Sequence, residues 1–213
     1  NQFENITGHK ILERYGMTET NMNASNPLKG ERKAGSVGKP LKETSIRITS
    51  IGENNLSDMN QPGMIEIKGP NVFMGYLNKP EKTKEAFTDD EYFITGDMGY
   101  FDKEGYLFIS GRNKDLIISG GYNVYPKEIE DIINQFDGII ESAVFGLPDD
   151  DLGEIPAAAI VANDNNPNLD NLKKFIQDNL ARYKVPKKYF LLSELPRNVM
   201  GKVQKTNLKD RYL

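Results

Sequence analysis

The sequence predicts an α+β protein in two parts, a β-barrel-like subdomain followed by a small α+β domain. Three observations predict it. Short apolar–polar alternations between turn signals fill the chain from about residue 28 to 110. Helical stripes of apolar residues alternate with strand-like runs after about residue 112. A charged segment, Gly111-Arg112-Asn113-Lys114-Asp115, lies where the texture changes, so the boundary is set near 112–115 and the parts are 1–113 and 114–213.

In chain order, residues 1–27 hold little periodicity beyond Ile11-Leu12, and the polar run Asn21–Pro27 reads as loop. Ile46-Arg47-Ile48-Thr49 and Met64-Ile65-Glu66-Ile67-Lys68 alternate as half-buried strands. Tyr100-Phe101 and Tyr106–Ile109 flank Asp102-Lys103-Glu104-Gly105, a hairpin turn with glycine at its left-handed position. Leu116-Ile117-Ile118 reads as a buried strand. Pro126 opens a helix, because proline's missing N–H costs nothing in the first turn. Ile129, Ile132, Ile133 and Phe136 form its apolar stripe, and Gly138 stops it. Strands follow near Ser142–Gly146 and Ala157–Ala162. A second helix carries Leu169, Leu172, Phe175, Ile176 and Leu180 on one face, and a last strand lies near Tyr189–Leu192. This second part, of about 100 residues, is large enough for its own core.

Composition narrows the function. The 213 residues carry 27 Lys+Arg against 31 Asp+Glu, a formal net charge of −4, which argues against nucleic-acid binding. Hydrophobic residues at 38% and charged residues at 27% describe a globular chain. No run approaches the roughly 18 apolar residues of a membrane span. No signal peptide is visible at Asn1-Gln2-Phe3-Glu4-Asn5, and a cytoplasmic location is expected. The absence of cysteine removes disulfides, thiolate nucleophiles and Cys-ligated zinc. The single histidine, His9, excludes a multi-His metal site and is read as a surface or half-buried residue. Any chemistry falls to Lys, Asp, Glu, Thr and backbone groups, with Mg²⁺ as the metal that suits oxygen ligands.

Four segments could carry it. Tyr15-Gly16-Met17-Thr18-Glu19-Thr20 sets an aromatic ring, a close-approach glycine, hydroxyls and a carboxylate within six positions. Phe93-Ile94-Thr95-Gly96-Asp97 presents a carboxylate at a strand end, a group that accepts from paired hydroxyls. Gly111–Glu130 combines the charged boundary with Gly120-Gly121, where the backbone can approach a ligand or simply turn. Pro196-Arg197-Asn198-Val199-Met200-Gly201-Lys202-Val203-Gln204-Lys205 sets a lysine beside a glycine in a loop, a point charge for an anion. Each alone is also consistent with an ordinary turn or a solvated surface.

Together, and in this order, the four resemble the adenylate-forming superfamily of acyl-CoA synthetases, luciferases and peptide-synthetase adenylation domains. A fifth segment agrees: Gly63–Gly69 through Gly75-Tyr76-Leu77-Asn78-Lys79-Pro80-Glu81-Lys82-Thr83. The resemblance spans residues 8–210. Tyr15–Asn23 with Ser25-Asn26-Pro27, Gly69–Phe73 and Pro196–Lys205 are most similar to the malonyl-CoA synthetases of that superfamily.

The resemblance implies the adenylate-forming fold and an ATP-dependent acid–CoA ligase that proceeds through an acyl-adenylate. It implies ATP and AMP, Mg²⁺ and coenzyme A as cofactors, and malonate as the acid. Tyr15 would stack on adenine with Gly16 beside it. Thr18 would bond the α-phosphate and Glu19 would hold Mg²⁺. Asp97 would bind the ribose hydroxyls, flanked by Arg112. Lys114 would be the hinge of a mobile C-terminal domain, and Gly120 and Gly121 would border the pantetheine tunnel. Lys202 would bridge the acyl carboxylate and the α-phosphate. Arg14 is a candidate anchor for a distal carboxylate, and Met22 a candidate lining residue. The superfamily's Lys-ending phosphate loop is not in this sequence, so the chain is expected to be the C-terminal part of a larger synthetase, inactive alone. A synthetase for another short or medium acid, and a non-catalytic nucleotide- or partner-binding module, remain open.

Overall fold

The computed structural model describes residues 2–51, 55–163 and 168–213. The chain divides into two compact units, Asn1–Asn113 and Lys114–Leu213. In the first, helix α1 (Gln2–Thr7) precedes strands β1 (Arg14–Met17), β2 (Asn21–Ser25) and β3 (Lys39–Pro40), which form a small antiparallel sheet in that order. Strands β4 (Ser45–Thr49) and β5 (Gly63–Lys68), helix α2 (Pro80–Glu85), and strands β6 (Phe93–Phe101) and β7 (Leu107–Arg112) follow. The barrel-like expectation takes the form of an open antiparallel meander, β4-β5-β6-β7.

The two sheets of this unit meet at Gly38 and Leu107, which exchange backbone hydrogen bonds of 2.9 and 2.7 Å through Val37 N and Leu107 N. Gly38 has φ +88°, and a Cβ there would lie 2.0 Å from Asn26 N, so only glycine permits the approach. Tyr15, Ala24, Ile48, Ile65, Ile67 and Leu107 form the core beneath. The Asp102–Gly105 turn is as the sequence predicts: Asp102 Oδ1 accepts from the N–H of Glu104 and Tyr106, and Gly105 has φ +78°.

The second unit contains β8 (Ile117–Ser119), β9 (Tyr122–Val124), α3 (Pro126–Ile133), β10 (Ile139–Asp149), β11 (Gly153–Ala162), α4 (Leu169–Asn179), β12 (Lys188–Leu191) and α5 (Lys205–Tyr212). The sheet runs β10-β11-β8-β9, with β12 parallel to β11. β11 is buried on both faces. Ala158 and Ile160 face a core with Ile129 and Ile133 of α3 and Leu172 and Ile176 of α4. Ala157, Ala159 and Val161 face a second core with Phe145 and with Leu208 of α5. The helices therefore flank the sheet in three layers, each element presenting its period-matched apolar face.

Several local expectations need correction. Asn21–Ser25 is strand rather than loop, and Asn23 and Ala24 are fully buried in it. Its backbone is recruited by tertiary partners that no local pattern announces. The Leu116–Ile118 run is not buried throughout: Ile117 is inside and Ile118 is 54% exposed, because the β8–β9 ribbon is covered on one face only. Helix α3 ends at Ile133, and Phe136 joins the core from the turn that Gly138, at φ +85°, completes. Helices α1, α2 and α5 carry too few apolar positions to be read from periodicity. Among the described residues no helix is long and apolar enough to cross a membrane.

Candidate functional site

In the first unit the site is built where β1 turns into β2. The register shifts between Tyr15 and Gly16, and Gly16 then faces Met22. A Cβ on Gly16 would sit 2.2 Å from Asn21 O, so this bulged hairpin closes only on glycine. The Thr18–Thr20 turn follows, with Thr18 exposed, Glu19 half-buried and Thr20 buried. Asn71 fixes its far side: the Asn71 amide donates to Thr20 O at 2.6 Å, Met22 O at 3.2 Å and Asn23 Oδ1 at 3.0 Å.

Tyr15 points into the core, and its hydroxyl donates to Asp97 Oδ2 at 2.5 Å. Arg112, opposite Asp97 across β6 and β7, holds the other oxygen at 2.7 Å through Nε. The Asp97 backbone is set by Thr95, whose Oγ1 accepts from Asp97 N at 3.0 Å and donates to Ile65 O at 2.8 Å. Burial, and then the neighbouring Asp97 charge, push the Tyr15 phenol far above its ordinary value, so it stays a neutral donor. The result is a buried carboxylate with a fixed orientation, bridging a phenol and a guanidinium. Arg14 precedes Tyr15 on the same strand, so its side chain leaves by the opposite face, exposed. Met22 is half-buried, its sulfur beside Gly16.

Among the described residues no cluster of three or more acidic or His side chains could hold a metal alone. A lone half-buried carboxylate at Glu19 nevertheless fits Mg²⁺, which takes one or two protein carboxylates and completes its shell with water and substrate phosphates.

The second unit carries three further features. Lys114 is exposed in a one-turn 3₁₀ segment, Asn113–Asp115, at the start of the unit. Gly120 and Gly121 form the two-residue β8–β9 turn at φ +56° and +82°, the doubly left-handed geometry of a type I′ hairpin. Lys202 is exposed on a loop closed by a bridge between Arg197 and Val203. Asn198 Oδ1 accepts from Met200 N at 3.0 Å and Lys202 N at 2.9 Å, while Asn198 N donates to Lys202 O at 2.9 Å. Arg197 braces the loop from outside, donating to Gly201 O at 2.7 Å and pairing with Glu141. The lysine side chain is thus exposed, while the backbone that carries it is held by hydrogen bonds.

Residues 1–77 match the AMP-binding enzyme family and residues 128–202 match the AMP-binding enzyme C-terminal domain. The chain belongs to the adenylate-forming enzymes. It is 44% identical to a malonate–CoA ligase of Arabidopsis thaliana, over 98% of this chain and 36% of that protein. It matches the crystal structure of ATP-bound MatB from Rhodopseudomonas palustris with TM-score 0.93 and 49% identity, over 99% of this chain and 42% of that one. It matches O-succinylbenzoate coenzyme A synthetase from Bacillus subtilis, in complex with ATP and magnesium ion, with TM-score 0.86 and 35% identity, over 98% of this chain and 43% of that one. The chain spans a little over a third of the length of its curated relatives.

In this chain the structure brings Tyr15, Asp97 and Arg112 into one hydrogen-bonded group. Thr18 and Glu19 lie on the adjoining turn. Gly120-Gly121 and Lys202 occupy separate loops of the second unit. Sequence reading missed two supporting residues, Asn71 and Asn198. Asn198 had a signal, since an Asn three residues before a glycine favours a side-chain-closed turn. Asn71 had none, because the groups its amide donates to lie some fifty residues away.

Proposed function

We propose that this chain supplies the ribose-binding and lysine-bearing parts of an ATP-dependent acid–CoA ligase. The observation that carries the reading is the Asp97 carboxylate, held between Tyr15 and Arg112. A carboxylate so fixed presents pre-aimed acceptors to the two hydroxyls of a ribose, at no reorganisation cost on binding. Tyr15 is only 8% exposed, so it serves chiefly to orient Asp97, with what remains of its ring surface left for adenine. Gly16 keeps the backbone clear of the nucleotide. Thr18 bonds the α-phosphate, and Glu19 holds Mg²⁺, which neutralises phosphate charge.

In the first half-reaction a carboxylate oxygen attacks the α-phosphorus and pyrophosphate leaves with the bonding pair. Two anions approach each other, so the compact charge of Lys202 between them stabilises the developing transition state. In the second, the thiol of coenzyme A attacks the acyl carbonyl and AMP leaves. Lys202 has no part there. Exchange of the Lys202 loop for the Gly120-Gly121 turn by rotation about Lys114 fits the alternation. Lys202→Ala in the complete enzyme tests this: adenylation, read as pyrophosphate release, falls by about 10²–10³, while supplied acyl-AMP is still converted to thioester. Unchanged adenylation removes the core of the mechanism.

We further propose malonate as the acid. Support comes from the malonate–CoA ligase relative, and Arg14 is the anchor offered for the distal carboxylate. Arg14→Ala then impairs malonate far more than acetate. Equal losses on both acids sink that assignment. The O-succinylbenzoate relative keeps another dicarboxylic or aromatic acid as the alternative.

A further inference from the structure

The segment from Gly69 to Thr83 contains residues within and beyond the 1–77 match to the AMP-binding enzyme family, and apart from Asn71 none of them has a role in the site above. Its geometry supplies one. Phe73 N donates to Glu19 O at 2.8 Å, tying the backbone of the Thr18–Thr20 turn to this segment. The Tyr76 hydroxyl donates to Glu19 Oε1 at 3.2 Å, across 57 residues of chain. Tyr76 is itself immobilised. Its N–H donates to Thr83 Oγ1 at 2.9 Å, and Thr83 Oγ1 donates in turn to Lys79 O at 3.0 Å within the first turn of α2. Gly75, at φ +146°, allows this closure, since a Cβ there would fall 2.6 Å from Thr83 Cγ2. The Tyr76 ring packs edge-on against Phe73 at 4.9 Å, and Lys82 covers its face at 4.4 Å.

We infer that Tyr76 is a positioning residue: it holds one oxygen of the Glu19 carboxylate so that the other is presented to the cation that accompanies ATP. This rests on the reading of Glu19 as the Mg²⁺ ligand. A glutamate has three rotatable side-chain bonds, and a site that depends on one protein carboxylate gains most from restricting them. The Gly75–Thr83 closure, the ring packing and the Phe73 link each fix a different part of the same pair. They make a splint running from α2 to the carboxylate.

The test uses the complete enzyme, with Mn²⁺ as a paramagnetic probe titrated in the presence of a non-hydrolysable ATP analogue. Pyrophosphate release is followed in parallel against Mg²⁺ concentration. Tyr76→Phe keeps the ring and removes only the hydroxyl. It is expected to weaken Mn²⁺ retention by about tenfold, as for loss of a hydrogen bond to a charged group. The Mg²⁺ needed for half-maximal rate rises by a similar factor. The rate recovers at saturating Mg²⁺ and the thermal midpoint is unchanged. Recovery with excess cation is the signature that a purely structural role does not produce. Wild-type Mn²⁺ affinity in Tyr76→Phe, or a loss of rate that no Mg²⁺ concentration restores, overturns the inference. Glu19→Gln separates the two levels. If it abolishes Mn²⁺ retention while Tyr76→Phe does not, only the role of Tyr76 fails. If Glu19→Gln retains Mn²⁺ fully, the metal reading of Glu19 fails and takes this inference with it.

Discussion

The Tyr15 hydroxyl reaches Asp97 Oδ2 at 2.5 Å across 82 residues of chain, joining the first motif of the sequence to the second. The bond crosses between the small β1–β3 sheet and the β4–β7 meander. It therefore links the packing of the first unit to the orientation of the carboxylate proposed to receive ribose.

Tyr15→Phe removes that donor without opening a cavity. Loss of a hydrogen bond to a buried charged group costs about 1.5–3 kcal/mol. The expected result is a lower midpoint in denaturant unfolding of the first unit, together with weaker ATP binding by the complete enzyme. Unaltered stability would show that Arg112 alone orients Asp97.

Gly16→Ala acts on shape. The added methyl meets Asn21 O at 2.2 Å and Met22 Sδ at 3.0 Å. The sulfur can yield, but the backbone carbonyl cannot, so the β1–β2 turn must shift at a cost of about 1–3 kcal/mol. Hydrogen exchange should show faster exchange in β1 and β2 and unchanged protection in β10 and β11, with ATP affinity reduced.

Asn198→Ala leaves Lys202 in place and removes the acceptor that orders its loop. Two bonds, from Met200 N and Lys202 N, are lost. Under the proposed mechanism adenylation slows by about thirtyfold, on the scale of about 1 kcal/mol for each of the two net hydrogen bonds. Thioester formation from supplied acyl-AMP is unaffected. A defect in that second half-reaction would contradict the division of labour between the two loops.

Tyr189 makes an alkaline prediction. Its hydroxyl is buried in the α3–α4 core and finds no partner among the described residues. Burial pushes its pKa up to about 12. The folded state thus resists ionisation more than the unfolded state does. Stability is therefore independent of this group below about pH 10 and falls progressively as pH rises towards 12. Tyr189→Phe should flatten this alkaline decline in an unfolding series. It should also raise stability near neutral pH by about 1 kcal/mol, since an unbonded hydroxyl leaves the core.

What the sequence made legible follows from the range of the interactions involved. The Ile129–Ile133 stripe, the Pro126 start and the Asp102–Gly105 turn are local, and each forms where its pattern lies. Asn21–Ser25 is a strand written in polar residues. Only the Asn71 amide and the β1 and β3 ladders make it one. Helix α5 buries Leu208 and little else of its length, so its charges hide it from a search for periodicity. In the candidate site, residue types and order single out Tyr15, Glu19, Asp97 and Lys202 as candidates. The pairings that aim them, Tyr15 with Asp97 and Tyr76 with Glu19, join distant segments and leave no local trace.

The doubly buried strand β11 poses a problem of alignment. Its odd-numbered side chains serve one apolar core and its even-numbered ones the other, so a slip of one residue against β10 would exchange two greasy faces for each other. Hydrophobicity alone discriminates poorly between those arrangements. Two carboxylates make bonds that belong to the observed alignment alone. Glu130 accepts from Val144 N at 2.8 Å, and Glu154 receives Ile118 N at 3.3 Å and Lys209 at 2.8 Å. Gly146 leaves the space that Glu154 needs, for a Cβ there would lie 2.9 Å from its Oε1. In this domain the charged groups act as index marks, favouring the observed one of two similar sandwiches by bonds that a slipped strand would lose.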